Sequence, residues 1–459
     1  MSGSGTLAYR YAVPSSLSRD GVLSFATSGG VTETGPTAHP YFFTGFLADP
    51  GPAAQALLAC AAIARARYHV ASSTLAVLID PVVTCNTDRL RFESFSGCCG
   101  VHARLDLPPE ALGAAPVASG TTNVDFNPPM RGALAGAVAT AGQIFLKVGD
   151  EQVTAVTESA AIVERKVKLP ARWVKGFGEV SALHARMRLV ADIPGPEAQR
   201  FLASLPRAAR SPLWAVPSGG RLSLAASARP GAACLVGPER LAELRPLLRF
   251  AKRLRVYAPA GPGNPPAANT LPAPSAWELT IGKARFTVTI SPEKYRGFTG
   301  EGALLSALAT DTAAEDAGLI GLLLGWGPVI SMPDLSASSG LSPERTGAAL
   351  ATLASSGRVG YDLADGAYFH RELPLGAEVA KAHPRLADAR SLIETGQVTL
   401  TEGGAMSGGH RVTFGTGAGG APGDTCTCPW WGKHQGTRGP CKHVLAAHIV
   451  RRAAVGQPR

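Results

Sequence analysis

The chain has 459 residues, 45% of them hydrophobic and 17% charged, with a net charge of +10. That composition is normal for soluble globular domains, and the length predicts two or three of them. The longest apolar run, 317–330, is shorter than the ~20 residues that a membrane span needs, and the first eight residues lack the basic and apolar stretches of a signal peptide; the expectation is a cytoplasmic protein with no membrane partner.

Residues 1–258 read as an α+β domain with no assignable role. The stretch 52–70 is helical in pattern, with Leu57, Leu58, Ala61 and Ala62 on one side. Residues 75–79, 90–95 and 101–107 read as strands, and apolar and polar side chains alternate from Arg89 to Phe95. Residues 144–148 and 153–156 flank Gly149-Asp150, a hairpin turn signal. A helix is expected over 196–205 and a strand over 222–226. The stretch 238–254 is predicted to be a helix, with Leu241, Leu244, Leu247, Leu248 and Leu254 apolar and Arg240, Arg245, Arg249, Lys252 and Arg253 opposite. Such a stripe is either a nucleic-acid-facing surface or a solvated face. Cys98, Cys99 and His102, near Cys85, are either a second metal site or ordinary buried thiols; adjacent cysteines without C-x2-C spacing favour the second reading.

Residues 259–275 form a Pro/Gly/Ala linker and mark the expected domain boundary. Beyond it, 277–281 and 285–290 read as a hairpin joined at Gly282-Lys283, followed by helices over 303–310, 313–324 and 332–338. Ser342 as N-cap, Pro343 at the first helical position and Glu344 in the first turn start a further helix that Gly357 ends. Residues 358–361 and 367–370 then flank Asp365-Gly366. Helix, turn, helix, hairpin is the order of the winged helix-turn-helix superfamily, which 276–375 resembles in layout. Between 332 and 375 there are three arginines and five acids, a balance of −2. That argues against a DNA reader, which needs cations near phosphates, and makes a protein-docking module at least as good a reading.

In 376–459, a helix is expected over 385–394, strands over 397–400 and 410–414, and flexible turns over the glycine-rich 403–409 and 415–423. Then come Cys426-Thr-Cys428, twelve residues, and Cys441-Lys-His443. Three thiolates and one imidazole are the donors that zinc prefers. Residues two apart share a face on a strand, so Cys426 and Cys428 can reach one ion from a strand end. They do not share a face on a helix, so Cys441 and His443 belong in the turn that enters the helix 444–450, where Val444, Leu445 and Ile449 are expected to pack on the hairpin. With four protein donors the Zn2+ site is closed and structural. His448 is either a substitute ligand or a packing histidine, and its place deeper in the helix favours packing.

This pattern resembles the SWIM zinc finger, in which a β-hairpin carries C-x-C and the start of a helix carries C-x-H. The stretches DTCTCPWW (424–431) and GPCKHVL (439–445) are similar to the bacterial branch, and 163–177 resembles a segment of long bacterial SWIM proteins. The family also occurs in SWI/SNF-type ATPases and mutator-type transposases. The expected fold class is therefore α+β and multidomain: an N-terminal α+β region, a winged-helix-like module and a C-terminal ββα zinc finger over 376–459.

From 425 to 459 the chain carries six basic residues and no acid, a composition suited to phosphate contact. The loop between the ligand pairs places Trp430 and Trp431 beside Lys433, His434, Arg438 and Lys442, aromatics interleaved with cations. At least one indole is expected to cover the zinc site instead. Two functions follow: DNA or RNA binding through the finger, or a protein-interaction adaptor, as for an ATPase-based machine. No nucleophile elbow, metalloprotease, Walker or dinucleotide motif appears, so no enzymatic activity is expected, with residues 1–258 left open.

Overall fold

The computed structural model describes residues 7–9, 11, 13–18, 22–68, 81–140, 143–149, 167–169, 171–259, 271–293, 297–298, 313–373, 384–415, 424–435 and 440–456. The strands expected over 75–79 and 153–156, the helix expected over 303–310, and Arg438 lie outside them. No helix among the described residues is long and apolar enough to cross a membrane.

The fold is α+β, built on a ten-stranded sheet. In spatial order its strands are Met187–Pro194, Ala251–Pro259, Ser275–Ile281, Ala284–Ile290, Val101–Leu107, Leu90–Phe95, Val82–Cys85, Gly120–Asn123, Gly30–Thr32 and Gly35–Thr37, every neighbouring pair antiparallel. This order corrects the expected domain boundary. The hairpin beyond 259–275 pairs with Ala251–Pro259 on one side and Val101–Leu107 on the other. The Pro/Gly/Ala stretch therefore joins adjacent strands of one sheet. A long connection and an interdomain linker share a composition, because neither carries a core-forming pattern.

Period-two alternation gives the sheet two unlike faces. One presents Phe92, Leu105, Val256, Trp277, Leu279, Phe286 and Val288 to the helix Pro50–Arg65 and to Phe201, Leu241, Leu244 and Leu247. Pro238–Phe250 is a 3-10 helix and Ala251–Pro259 a strand, which corrects the helix predicted over 238–254. The leucine spacing at 241, 244 and 247 fits the three-residue turn of a 3-10 helix. The expected basic stripe is broken up accordingly. Arg240 is fully buried and donates to the carbonyls of Val236, Gly100 and Ser291, and Lys252 and Arg253 belong to the strand.

The opposite face carries Arg91, Glu93, His102, Arg104, Asp106, Glu278 and Arg285, and all but Arg285 are buried. Its cover is the helix Ala171–His184 and a module of three helices (Ala313–Leu323, Met332–Ser339, Pro343–Ser355) with the hairpin Val359–Asp362/Ala367–His370. Ser342 caps the third helix, accepting from the Arg345 N–H at 3.3 Å. Asp362 reaches Arg285 at 2.9 Å, Arg104 at 3.2 Å and Arg91 at 3.5 Å. Arg371 lies 2.9 Å from Glu93, and His184 Nε2 lies 2.8 Å from Thr289 Oγ1. Asp365 pairs with Arg89 and Arg285, and Glu372 with Arg358. The acids that gave the module its negative balance are thus largely neutralised by arginines of the same chain.

Burial pushes the Glu278 carboxyl up to about 7, against the opposing pull of Arg285. A carboxyl whose folded pKa lies above its unfolded one stays protonated longer in the native state. Native stability then falls as pH rises from about 4.5 to about 7, by about 3 kcal/mol. Glu278→Gln is expected to flatten that fall, which urea unfolding at pH 5 and pH 8 measures; an unchanged difference between the two pH values would refute it.

Candidate metal centre

A smaller sheet orders Val398–Thr401, Gly404–Ser407, His410–Thr413 and Thr425–Cys426 as an antiparallel ladder. Gly404–Ser407 was expected to be a flexible turn. It is a central strand, because Ala405 fills the core under the thiols while glycines at positive φ (Gly403 +70°, Gly408 +54°, Gly409 +76°) make the turns on either side. The finger is thus a four-stranded sheet with two helices, Pro429–His434 and Lys442–Gly456, larger than the ββα unit expected.

Cys426 ends the last strand. Cys428 is the N-cap of the short helix, its Sγ accepting from the Trp431 N–H at 3.3 Å. Cys441 precedes the long helix, and the Val444 N–H points at its Sγ from 3.5 Å. Two thiols therefore sit where helix N-termini favour negative charge. His443 is in the first turn of the long helix, with Nδ1 3.9 Å from Cys426 Sγ and 4.0 Å from Cys441 Sγ. All four donor atoms lie within 4.8 Å of one another and all four residues are buried. Tetrahedral zinc, with bonds of about 2.3 Å to sulfur and 2.0 Å to nitrogen, sets donor–donor edges of roughly 3.5–3.8 Å, so a small inward closure completes the coordination. A hydrogen bond from Cys441 lowers the Cys426 pKa, and that same bond pushes the Cys441 thiol up to about 12. Thiols crowded in this way share protons that a divalent cation displaces.

Gly408 backs the imidazole. A Cβ there would lie 3.2 Å from His443 Cδ2, and the His410 ring sits 4.5 Å from that of His443. His448 is not among the clustered donors; it pairs with the buried Asp424 at 2.6 Å. Among the long helix's apolar residues, Val444 faces the thiol cluster, while Leu445 and Ile449 join a cluster with Ala182, Ala389, Leu392 and Val398, so that this face packs on the helix Pro384–Glu394 as well as on the edge of the finger sheet. The helix Pro384–Glu394 competes for that face, a tertiary contact with no local signal.

Both Trp430 and Trp431 lie partly buried against the thiol cluster. Trp430 is further held by Arg385, 4.8 Å above its ring, and by His434 at 4.9 Å. Arg385 also donates to the Pro440 carbonyl at 3.0 Å; its role had no motif to announce it. Lys433 is exposed, and Lys442 lies 3.7 Å from Asp388. Cys98 and Cys99 join no donor cluster among the described residues.

The SWIM zinc finger family model matches residues 410–450. No curated relative matches the sequence. Solved structures similar to the chain include proliferating cellular nuclear antigen from Entamoeba histolytica, at 8% identity and TM-score 0.27 over 55% of this chain and 98% of that one. Another is the DNA polymerase sliding clamp from Pseudomonas aeruginosa, at 14% identity and TM-score 0.29 over 55% of this chain and 64% of that one. At those scores the likeness assigns no fold. The matched segment and the converging Cys3His donors agree on one conclusion: residues 410–450 are a SWIM zinc finger with the ligand set for one structural zinc ion.

Proposed function

We propose that this protein binds nucleic acid through its zinc-stabilised finger. The observation that carries the reading is the stretch 425–459, with six cations and no acid, anchored on the zinc ligands. The two indoles contribute mainly to covering the thiols, so phosphate contact through Lys433, Arg438 and Lys442 is the main term, with aromatic stacking secondary. The helical module with its hairpin is read as winged-helix-like but as an internal clamp. Its third helix buries Ala349, Leu350 and Leu353, and Arg345 on that helix is tied to Asp316 at 2.6 Å.

The test is fluorescence anisotropy with labelled single- and double-stranded DNA and RNA at ~50 and ~200 mM salt. It compares the wild-type chain with the triple variant Lys433→Ala, Arg438→Ala, Lys442→Ala. The wild type is expected to bind with a steep salt slope, and the variant to lose about one unit of slope per phosphate contact removed. Absence of salt-sensitive binding at micromolar protein would instead favour the adaptor role, with the finger as a docking surface.

A further inference from the structure

The zinc ligands lie beside two main elements: Cys426 ends a strand, with Cys428 just beyond it at the cap of the short helix, and His443 is in the first turn of the long helix, with Cys441 just before it. A second link joins the same two elements. Asp424 lies two residues before Cys426, and His448 lies five residues beyond His443; their side chains meet at 2.6 Å across 24 positions of sequence. Asp424 is buried, and its other oxygen accepts the Gly415 N–H at 3.0 Å, which ties the carboxylate to the strand end that precedes it. The His448 ring packs on Phe414 at 5.2 Å, and Arg451 covers the other ring at 4.5 Å. Neither residue belongs to the C-x-C-x12-C-x-H pattern, and neither is a donor in the metal cluster.

We propose that Asp424 and His448 are positioning residues for the zinc site. Their bond pins helix to strand close beside the ligands, so Cys441 and His443 at the helix start face Cys426 and Cys428 before the metal arrives. A metal that must order its own ligands forfeits part of its binding free energy to that ordering, and a pre-set frame removes this loss. The inference concerns metal affinity and stands apart from the nucleic-acid reading.

The test uses the full chain, with zinc affinity read by chelator competition and coordination read from the absorption spectrum of the Co2+-loaded protein. Asp424→Ala and His448→Ala are each expected to weaken zinc binding about 10–100-fold, the range for partners that orient ligands. The double variant should be no weaker than either single one, because the two act as one link. Asp424→Asn still accepts a hydrogen bond from the imidazole and is expected to retain most of the affinity; it carries the test should the alanine variants fold poorly. The Co2+ spectrum at saturation should match wild type in every variant, since all four ligands remain. Affinity within about twofold of wild type in either alanine variant, additive losses in the double variant, an alanine-like loss in Asp424→Asn, or an altered saturated spectrum would each overturn the proposal.

Discussion

Cys428→Ser is expected to abolish stoichiometric zinc binding and to loosen the finger while the main body keeps its melting behaviour. Structural zinc in a small finger contributes on the order of 10 kcal/mol, and a serine hydroxyl is a poor replacement for a thiolate donor. Cys428 is also the N-cap of Pro429–His434, a capping role that serine takes over, so the loosening reports the lost metal and not a lost cap. The main hydrophobic core draws on residues 23–290 and includes none from the finger. Metal analysis of reduced protein and amide exchange across 425–435 check this. Retained zinc at one ion per chain, or loss of exchange protection in the strands 90–107, would contradict the assignment.

Asp362→Ala is expected to destabilise the native state by about 3–5 kcal/mol, the cost of leaving buried charges unpaired. Asp362 is completely buried and faces Arg91, Arg104 and Arg285. Burial alone would raise its pKa, but the three guanidiniums outweigh burial and hold it well below the usual carboxylate range. Glu93 behaves likewise beside Arg371. For a group depressed in the folded state, the stabilisation is present above the unfolded pKa and is lost as pH falls through the folded one. Wild type should therefore be acid-labile in a way that the alanine variant is not. Asp365→Ala, which breaks a pair whose carboxylate is 25% exposed, should cost no more than about 1 kcal/mol. Urea unfolding at pH 7 and pH 3 separates the two. Equal effects for Asp362 and Asp365 would show that the buried network does not hold the hairpin to the sheet.

The metal site was legible in the sequence because its information is local. Four ligands in two short clusters, the prolines beside them and the C-x-C spacing on a strand end fix donor identity and rough geometry without distant contacts. The hairpin at Gly282 and the Ser342 cap were legible for the same reason: each rests on backbone preferences of a few adjacent residues, and both appear in the structure. What lies on top of a strand is not encoded locally. Alternation from Arg89 to Phe95 ordinarily marks one wet face, yet here the polar half is buried, because Asp362 and Arg371, more than 250 residues away, supply the opposite charges. The same limit explains the misplaced boundary at 259–275, since pairing between strands depends on register across space and not on the composition of the connection. It also explains why the pairing of Asp424 with His448 has no signal in the sequence. Only the folded chain brings them to 2.6 Å, where a carboxylate and an imidazole with no motif of their own become a link between the two elements that hold the metal.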